Sequence, residues 1–282
     1  MRVHRTCARA VVRTTLITLV MLTACRDTGR TTTAVAADLP ITVRAGAMAA
    51  PDSMRPGWTR VHVEETGGTH IVVVFRLPAA ATATELTAFV AALDSAPATP
   101  PPGVAIGGPE IGARGDVIVH LTPGMYVLAC VKRGDDGHRH SRSGESTVLH
   151  VRSATLADST VAAPPHGTVE VRLVDFAYVG PDHWPPGAHM LRIENTGKQD
   201  HQLRLARLRE GATLQAWMQA DDPNTVATTV AGMARVGAGQ VAYLPVDLTP
   251  GTYIANCLVT DGTTKRPHVE LGMLRTITVP SR

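Results

Sequence analysis

Hydrophobic residues along this chain alternate with polar ones in short runs that are rich in β-branched side chains. Such runs predict strands, and the Pro-Gly and Thr-Gly pairs that bound them predict turns. The clearest runs are Ile71–Phe75, Val117–Leu121, Val169–Leu173, Met190–Ile193, Gln240–Val246 and Arg275–Val279. We therefore expect an all-β protein.

Two other stretches place their apolar residues on one face of a helix. They are Leu86, Phe89, Val90 and Leu93 in the first half of the chain, and Leu214, Trp217 and Met218 in the second. Each half is therefore predicted to be a β-sandwich or barrel with one short helical insertion.

The two halves repeat the same landmarks in the same order. The segments Leu121–Cys130 and Leu248–Cys257 share Leu, Thr, Pro, Gly, Tyr and Cys in register. Upstream, Pro56–Gly67 matches Pro186–Gly197, and a histidine follows each of these segments within a few residues. This order predicts two tandem copies of one structural unit.

The N-terminus has the pattern of an export signal. Four arginines and no acidic residue precede an apolar run that extends from Leu16 to Leu22. This order is typical of a signal peptide, and the run is too short for a membrane-spanning helix, which needs roughly 20 apolar residues.

The run ends in Leu22-Thr23-Ala24-Cys25, which resembles the bacterial lipobox. The resemblance implies that Cys25 becomes the mature N-terminus and is lipidated, so that a membrane is the first expected partner. An ordinary cleavage site that happens to precede a cysteine is the alternative. We expect a cell-envelope location facing the periplasm or the surface, and Arg26, rather than Asp, favours the outer membrane over the inner one.

The predicted organisation follows from these signals and from an Ala-rich stretch that ends in Ala-Ala-Pro-Pro and lacks strand or helix periodicity. It comprises the signal peptide 1–24, a lipidated tether 25–38, a first domain 39–153, a linker 154–165 and a second domain 166–282.

The charge and the cysteine content argue against a nucleic-acid partner and against a disulfide. Of the 27 Lys and Arg residues four lie in the signal peptide, which leaves 23 against 24 acidic residues. Without a basic excess, nucleic acid is not an expected partner. Cys7 lies in the signal peptide, and Cys130 and Cys257 occupy equivalent repeat positions, which argues against a disulfide between them.

The end of the second repeat resembles the C-terminal signature of cupredoxins, the blue-copper fold, and the resemblance covers both repeats. It implies two tandem cupredoxin-like Greek-key β-sandwiches. In the second repeat it implies the copper ligands His201, Cys257, His268 and Met273. Two imidazoles, a thiolate and a thioether suit both oxidation states of copper. The spacing departs from the family, because the ten residues between Cys257 and His268 predict a longer and less rigid loop.

In the first repeat the corresponding residues are His70, Cys130 and His140, with His138 as an alternative to His140. Glu145 stands where the second repeat has its methionine. A carboxylate is a harder ligand than a thioether, so a classical blue-copper centre is not expected there. Both cysteines also have a purely structural interpretation, since free Cys is commonly a small buried core residue.

Three functions remain. The first is a non-catalytic binding or assembly module with a protein partner at the cell envelope, which is preferred by default, because fold does not determine function and tandem sandwiches on lipid tethers are common binding architecture. The alternative is a copper protein for electron transfer or metal handling, with a redox partner. The second alternative, a copper-dependent oxidoreductase, ranks last, because oxidases need His-x-His pairs between domains and the chain has one, His138 with His140. No catalytic residue is assigned, and copper is the one candidate cofactor.

Overall fold

The computed structural model describes most of the chain after residue 35. The described residues are 36–78, 81–95, 103–110, 116–154 and 163–281. The predicted signal peptide, Cys25 and most of the predicted linker lie outside them, so lipidation stays a prediction. No helix within the described part is long and apolar enough to cross a membrane.

The first repeat contains strands on both sides of one α-helix. Its elements are β1 (Ala37–Arg44), β2 (Ala47–Ala49), β3 (Ser53–Met54), β4 (Gly57–Thr66), β5 (Val72–Arg76), α1 (Ala83–Ser95), β6 (Val104–Gly107), β7 (Val117–Leu121), β8 (Gly124–Cys130) and β9 (Ser146–Val151).

The second repeat follows the same plan with a shorter helix. Its elements are β10 (Val169–Val174), β11 (Ala177–Val179), β12 (Gly187–Asn195), β13 (His201–Leu208), α2 (Leu214–Gln219), β14 (Ala227–Val236), β15 (Val241–Leu248), β16 (Gly251–Asn256) and β17 (Leu274–Val279). The all-β class and both helical insertions are confirmed, since α1 and α2 contain the residues that predicted them.

Each repeat is a two-layer β-sandwich, and the strand order is the same in both. In the first repeat the layers have the orders β2-β1-β4-β7 and β3-β9-β8-β5-β6. In the second they have the orders β11-β10-β12-β15 and β17-β16-β13-β14. Apart from the additional β3, the repetition seen in the sequence is therefore also a repetition of topology.

Alternation along the strands sends apolar side chains to the space between the layers. In β1, for example, Leu39, Ile41 and Val43 are fully buried while the residues between them are exposed. One continuous core cluster includes such residues from both repeats. α1 covers the outer face of the first repeat, where Phe89 and Leu93 pack against Phe75.

The two repeats join edge to edge. β7 pairs with β15 in an antiparallel ladder, which makes one eight-stranded sheet of the described strands. In the other layer, the Ala234 amide donates to Gly108 O at 2.8 Å and the Gly237 amide donates to Ala105 O at 2.7 Å. Both layers thus continue across the junction, and the described residues form one compact unit.

All six predicted strands are present, with ends shifted by a few residues. β13 and β14 are not among these six clearest runs, although β13 alternates apolar and polar residues along most of its length. β1 begins at Ala37, inside the stretch that was expected to be tether.

Candidate metal centres

Three elements of the second repeat place its predicted ligands. His201 is the first residue of β13, and Cys257 directly follows β16. His268 begins a short 3₁₀ helix, His268–Leu271, that ends at Gly272 with a positive φ of 107°. Glycine adopts this conformation readily, and it returns the chain toward the site at Met273.

The second cluster, which we define as His201, Cys257 and His268, is fully buried. The Nδ1 atoms of the two histidines are 3.1 Å apart, and Cys257 Sγ is 3.5 Å from His268 Nδ1. A zinc ion lies about 2.0–2.3 Å from its nitrogen and sulfur ligands. One metal ion of this kind therefore fits between these three atoms.

Backbone hydrogen bonds join Met273 to two of the other predicted ligands. Its amide donates to His268 O at 2.9 Å, and its carbonyl accepts from the Cys257 amide at 3.3 Å. Its side chain is fully buried. Three of the four residues that the resemblance implied, His201, Cys257 and His268, therefore meet at one end of the second sandwich, and the backbone of Met273 is hydrogen-bonded to two of them.

Asp175 orients His201. Its Oδ1 lies 2.8 Å from His201 Nε2, and the same carboxylate accepts from the backbone amides of Lys198 and Gln199. A carboxylate at Nε2 keeps the proton there and leaves a lone pair on Nδ1, the nitrogen that faces the cluster. Sequence reasoning missed Asp175, because it lies 26 residues before His201.

The protonation states also suit a metal site. Burial lowers the pKa of His268 to about 4, with a further contribution from nearby His201. Burial also lowers the pKa of His201, although Asp175 opposes this. Both imidazoles are therefore neutral at pH 7, which is the form that binds metals. Burial raises the pKa of the Cys257 thiol to about 12, so without a metal it stays protonated.

Backbone hydrogen bonds join the two sides of the loop between Cys257 and His268, which the sequence predicts to be less rigid than in cupredoxins. The His268 amide donates to Val259 O at 2.8 Å, and the Val269 amide donates to Cys257 O at 2.8 Å. Within the loop, the Asp261 amide donates to Arg266 O at 2.8 Å. The extra residues are paired with one another by backbone hydrogen bonds, and His268 is hydrogen-bonded to Val259 at their base.

The first cluster comprises His70, Cys130, His140 and Glu145. Cys130 Sγ is 3.9 Å from His70 Nδ1 and 3.7 Å from His140 Nδ1. Glu145 Oε2 is 2.7 Å from His70 Nδ1 and 3.1 Å from His140 Nδ1. The prediction treated Glu145 only as the loss of a methionine, but its carboxylate faces the same point as the other donors.

His138 does not belong to this cluster. Its Nδ1 contacts Asp94 Oδ2 at 2.7 Å, and about half of its side chain is exposed. His140, which begins the 3₁₀ helix His140–Ser143, is therefore the histidine that lies beside Cys130. The alternative that named His138 as the ligand is wrong.

Comparisons with known proteins are weak. No family model and no curated protein matches the chain. Among solved structures, reduced auracyanin from Roseiflexus castenholzii has 20% identity and a TM-score of 0.28, over 40% of this chain and 95% of that one. Copper nitrite reductase from Nitrosomonas europaea has 13% identity and a TM-score of 0.24, over 88% of this chain and 94% of that one. A laccase from Botrytis aclada has 12% identity and a TM-score of 0.26, over 82% of this chain and 54% of that one. Likenesses of this degree do not establish a family or an activity.

Proposed function

We propose that this protein is a copper-binding electron-transfer protein, with its copper site in the second repeat. The observation that carries the proposal is the buried second cluster, in which two neutral imidazoles and one thiol meet within the reach of one ion. The metal-free binding module, which the sequence favoured, gives no reason for this convergence.

The donor set fits copper. Copper held by two imidazoles, a thiolate and a weak thioether passes between Cu(I) and Cu(II) and so carries one electron. His201 and His268 would bind through Nδ1, and Cys257 would bind as the thiolate. Met273, which is buried and hydrogen-bonded through its backbone to His268 and Cys257, would supply the thioether.

The residues around the cluster hold the donors and exclude water. Asp175 fixes the orientation of His201, and the backbone amide of Gln202 donates to Cys257 Sγ at 3.4 Å. The ring of Phe176 packs against His268, with 4.9 Å between ring centroids. A site that is positioned before metal binding changes little between oxidation states, and this favours electron transfer.

The proposal does not extend to catalysis. Two clusters of metal-binding side chains are found among the described residues, one inside each repeat, and neither combines residues of both repeats. Export and lipidation, as predicted from the first 25 residues, would place the copper site in the cell envelope beside a redox partner.

The first test is a Cu(II) titration of the full-length chain, followed by visible absorption, with Cys7 and Cys25 replaced by Ser in every variant. In a Cys130→Ser variant only the second cluster keeps its thiol. We expect one equivalent of Cu(II) to give an intense thiolate-to-copper charge-transfer band. A reductant should bleach the band and an oxidant should restore it.

The matched control is the double variant Cys130→Ser/Cys257→Ser, which should show no band. An intense band that survives in the double variant, or its absence from the folded Cys130→Ser chain, would contradict the proposal.

A further inference from the structure

The two clusters differ in one donor at a matched backbone position. Gly144 and Gly272 both have a positive φ, 103° and 107°, at the ends of equivalent 3₁₀ helices. The next residue, Glu145 or Met273, donates its amide to the carbonyl of the first residue of that helix, at 3.2 Å and 2.9 Å respectively. The repeats therefore present a carboxylate and a thioether from the same place.

The Glu145 carboxylate is held with one oxygen free for the cluster. Its Oε1 accepts from the Gly46 amide at 3.2 Å, in the turn between β1 and β2, while Oε2 faces both histidines. The residue is only 3% exposed. Burial tends to raise the pKa of Glu145, but hydrogen bonds from the Gly46 amide and His70 lower it below its ordinary value.

The donors of the first cluster carry one more negative charge than those of the second. A thiolate from Cys130 and the Glu145 carboxylate carry two negative charges, which a divalent ion neutralises. Cu(I) would leave one of these charges uncompensated, which is costly in a buried site. The donors of the second cluster include one anion, Cys257, which Cu(I) neutralises. A carboxylate is also a harder ligand than a thioether and suits M(II) ions.

We propose that the first repeat holds a divalent metal ion, Zn²⁺ or Cu²⁺, through His70, Cys130, His140 and Glu145, and that it binds such ions in preference to Cu⁺. Imidazole, thiolate and carboxylate together form a four-coordinate set of the kind that Zn²⁺ accepts. This site is separate from the proposed copper site of the second repeat and does not depend on it.

The test uses the full-length chain with Cys257→Ser, so that only the first cluster keeps its thiol. Co²⁺ is the probe, because thiolate-to-cobalt absorption reports its binding, and Zn²⁺ then competes for the site. Cu⁺ affinity is measured against a chromophoric chelator. We expect one Co²⁺ per chain, displaced by one Zn²⁺.

Adding Glu145→Gln should weaken Co²⁺ binding by about tenfold or more, since the charged donor is lost while the size is kept. Cu⁺ affinity should stay nearly unchanged. Glu145→Met should reverse the preference and favour Cu⁺. Glu65→Gln is the matched control, because the Glu65 carboxylate contacts the backbone amide of His70 at 3.2 Å and is not a donor of the cluster. It should bind like its Cys257→Ser parent.

Two results would overturn the inference. One is a folded Cys257→Ser chain that binds neither Co²⁺ nor Zn²⁺. The other is an equal loss of Co²⁺ and Cu⁺ affinity in the Glu145 variants. Circular dichroism shows whether Glu145→Gln or Glu145→Met misfolds, and the test then rests on the variant that folds. A Cys130→Ser chain that binds copper while Cys257→Ser binds no divalent ion would overturn this inference and leave the copper site of the second repeat standing.

Discussion

At the scale of single residues, the behaviour of the second cluster depends on which nitrogen of His201 carries the proton. Asp175 decides this, because it accepts a hydrogen bond from Nε2 and so directs the Nδ1 lone pair at Cys257 and His268. A carboxylate in this position orients a ligand without touching the metal.

We expect Asp175→Asn to weaken copper binding by about 10–100-fold, since the neutral amide orients the imidazole less strongly and does not enhance its basicity. The measurement is competition with a copper chelator in the Cys130→Ser background. Asp182→Asn is the control, because Asp182 pairs with Arg275 at the surface of the same repeat. Equal affinities of the Asp175 and Asp182 variants would refute this role.

The donor residues were predictable because the repeat places them in the same order twice. Their partners were not. Asp175 reaches His201 only through the turn that follows β10, and no spacing in the sequence indicates that contact. Glu145 occupied the correct position, but the hydrogen bond from Gly46 that turns its carboxylate toward the cluster comes from a residue 99 positions away.

At the scale of elements, a buried tyrosine at the start of β8 and of β16 fastens the turn before it. The Tyr253 hydroxyl donates to Thr249 O at 2.7 Å and accepts from the Thr249 amide at 3.0 Å. Tyr126 makes the same pair of hydrogen bonds with Thr122, at 2.8 Å and 2.9 Å. The repeated Leu-Thr-Pro-Gly-x-Tyr sequence thus encodes a closed turn ahead of each cysteine-bearing strand.

Tyr253→Phe should lower the free energy of unfolding by about 0.5–1.5 kcal/mol, because the turn loses the two part-buried hydrogen bonds between the tyrosine hydroxyl and the Thr249 backbone. Tyr126→Phe should cost a similar amount, since the geometry is the same. Urea denaturation, followed by circular dichroism, measures both. Unfolding midpoints that match the parent chain would show that the hydroxyls do not stabilise these turns.

The elements were predictable where hydrophobic alternation was bounded by clear turns, as at β7 and β17. β13 is not among the clearest runs although its alternation is regular, because residues 198–202, all of them polar or charged, separate its first apolar residue from the Thr196-Gly197 turn. The length of the loop after Cys257 says nothing of the hydrogen bonds within it. Only the folded structure shows these bonds, to Val259 and Cys257.

At the scale of the whole molecule, the junction between the repeats buries an acidic side chain. Glu110 of the first repeat donates its amide to Gly232 O at 3.2 Å, and its carboxylate accepts from Gln202 Nε2 at 3.2 Å. Burial raises the pKa of Glu110 to about 7, although the charge of Arg204 and the hydrogen bond from Gln202 oppose this.

The folded pKa of Glu110 thus exceeds its ordinary value of 4.5, so the folded state binds the proton more tightly than the unfolded state. Stability should be full below about pH 4.5 and should fall as the pH rises through about 7, by an amount on the order of 3 kcal/mol. Glu110→Gln should remove this part of the pH dependence. The measurement is urea unfolding of both proteins at pH 5 and pH 8, and parallel pH profiles would exclude this contribution.

The tandem arrangement was predictable from the repeat, but the shared sheet was not, since each sandwich could have closed by itself. A signal was present in β7 and β15, whose residues are mostly buried, as is typical of strands covered on both faces. Buried runs of this kind do not identify which strand pairs with which.

The edge-to-edge junction has a consequence for attempts to dissect the protein. Cutting the chain between the repeats would uncover two unsatisfied strand borders on each half, one from β7 or β15 and one from β6 or β14. Free borders of this kind recruit any complementary strand, including one from another molecule. The isolated halves should therefore exchange partners and form mixed assemblies, so the smallest piece that behaves as a monomer contains both repeats.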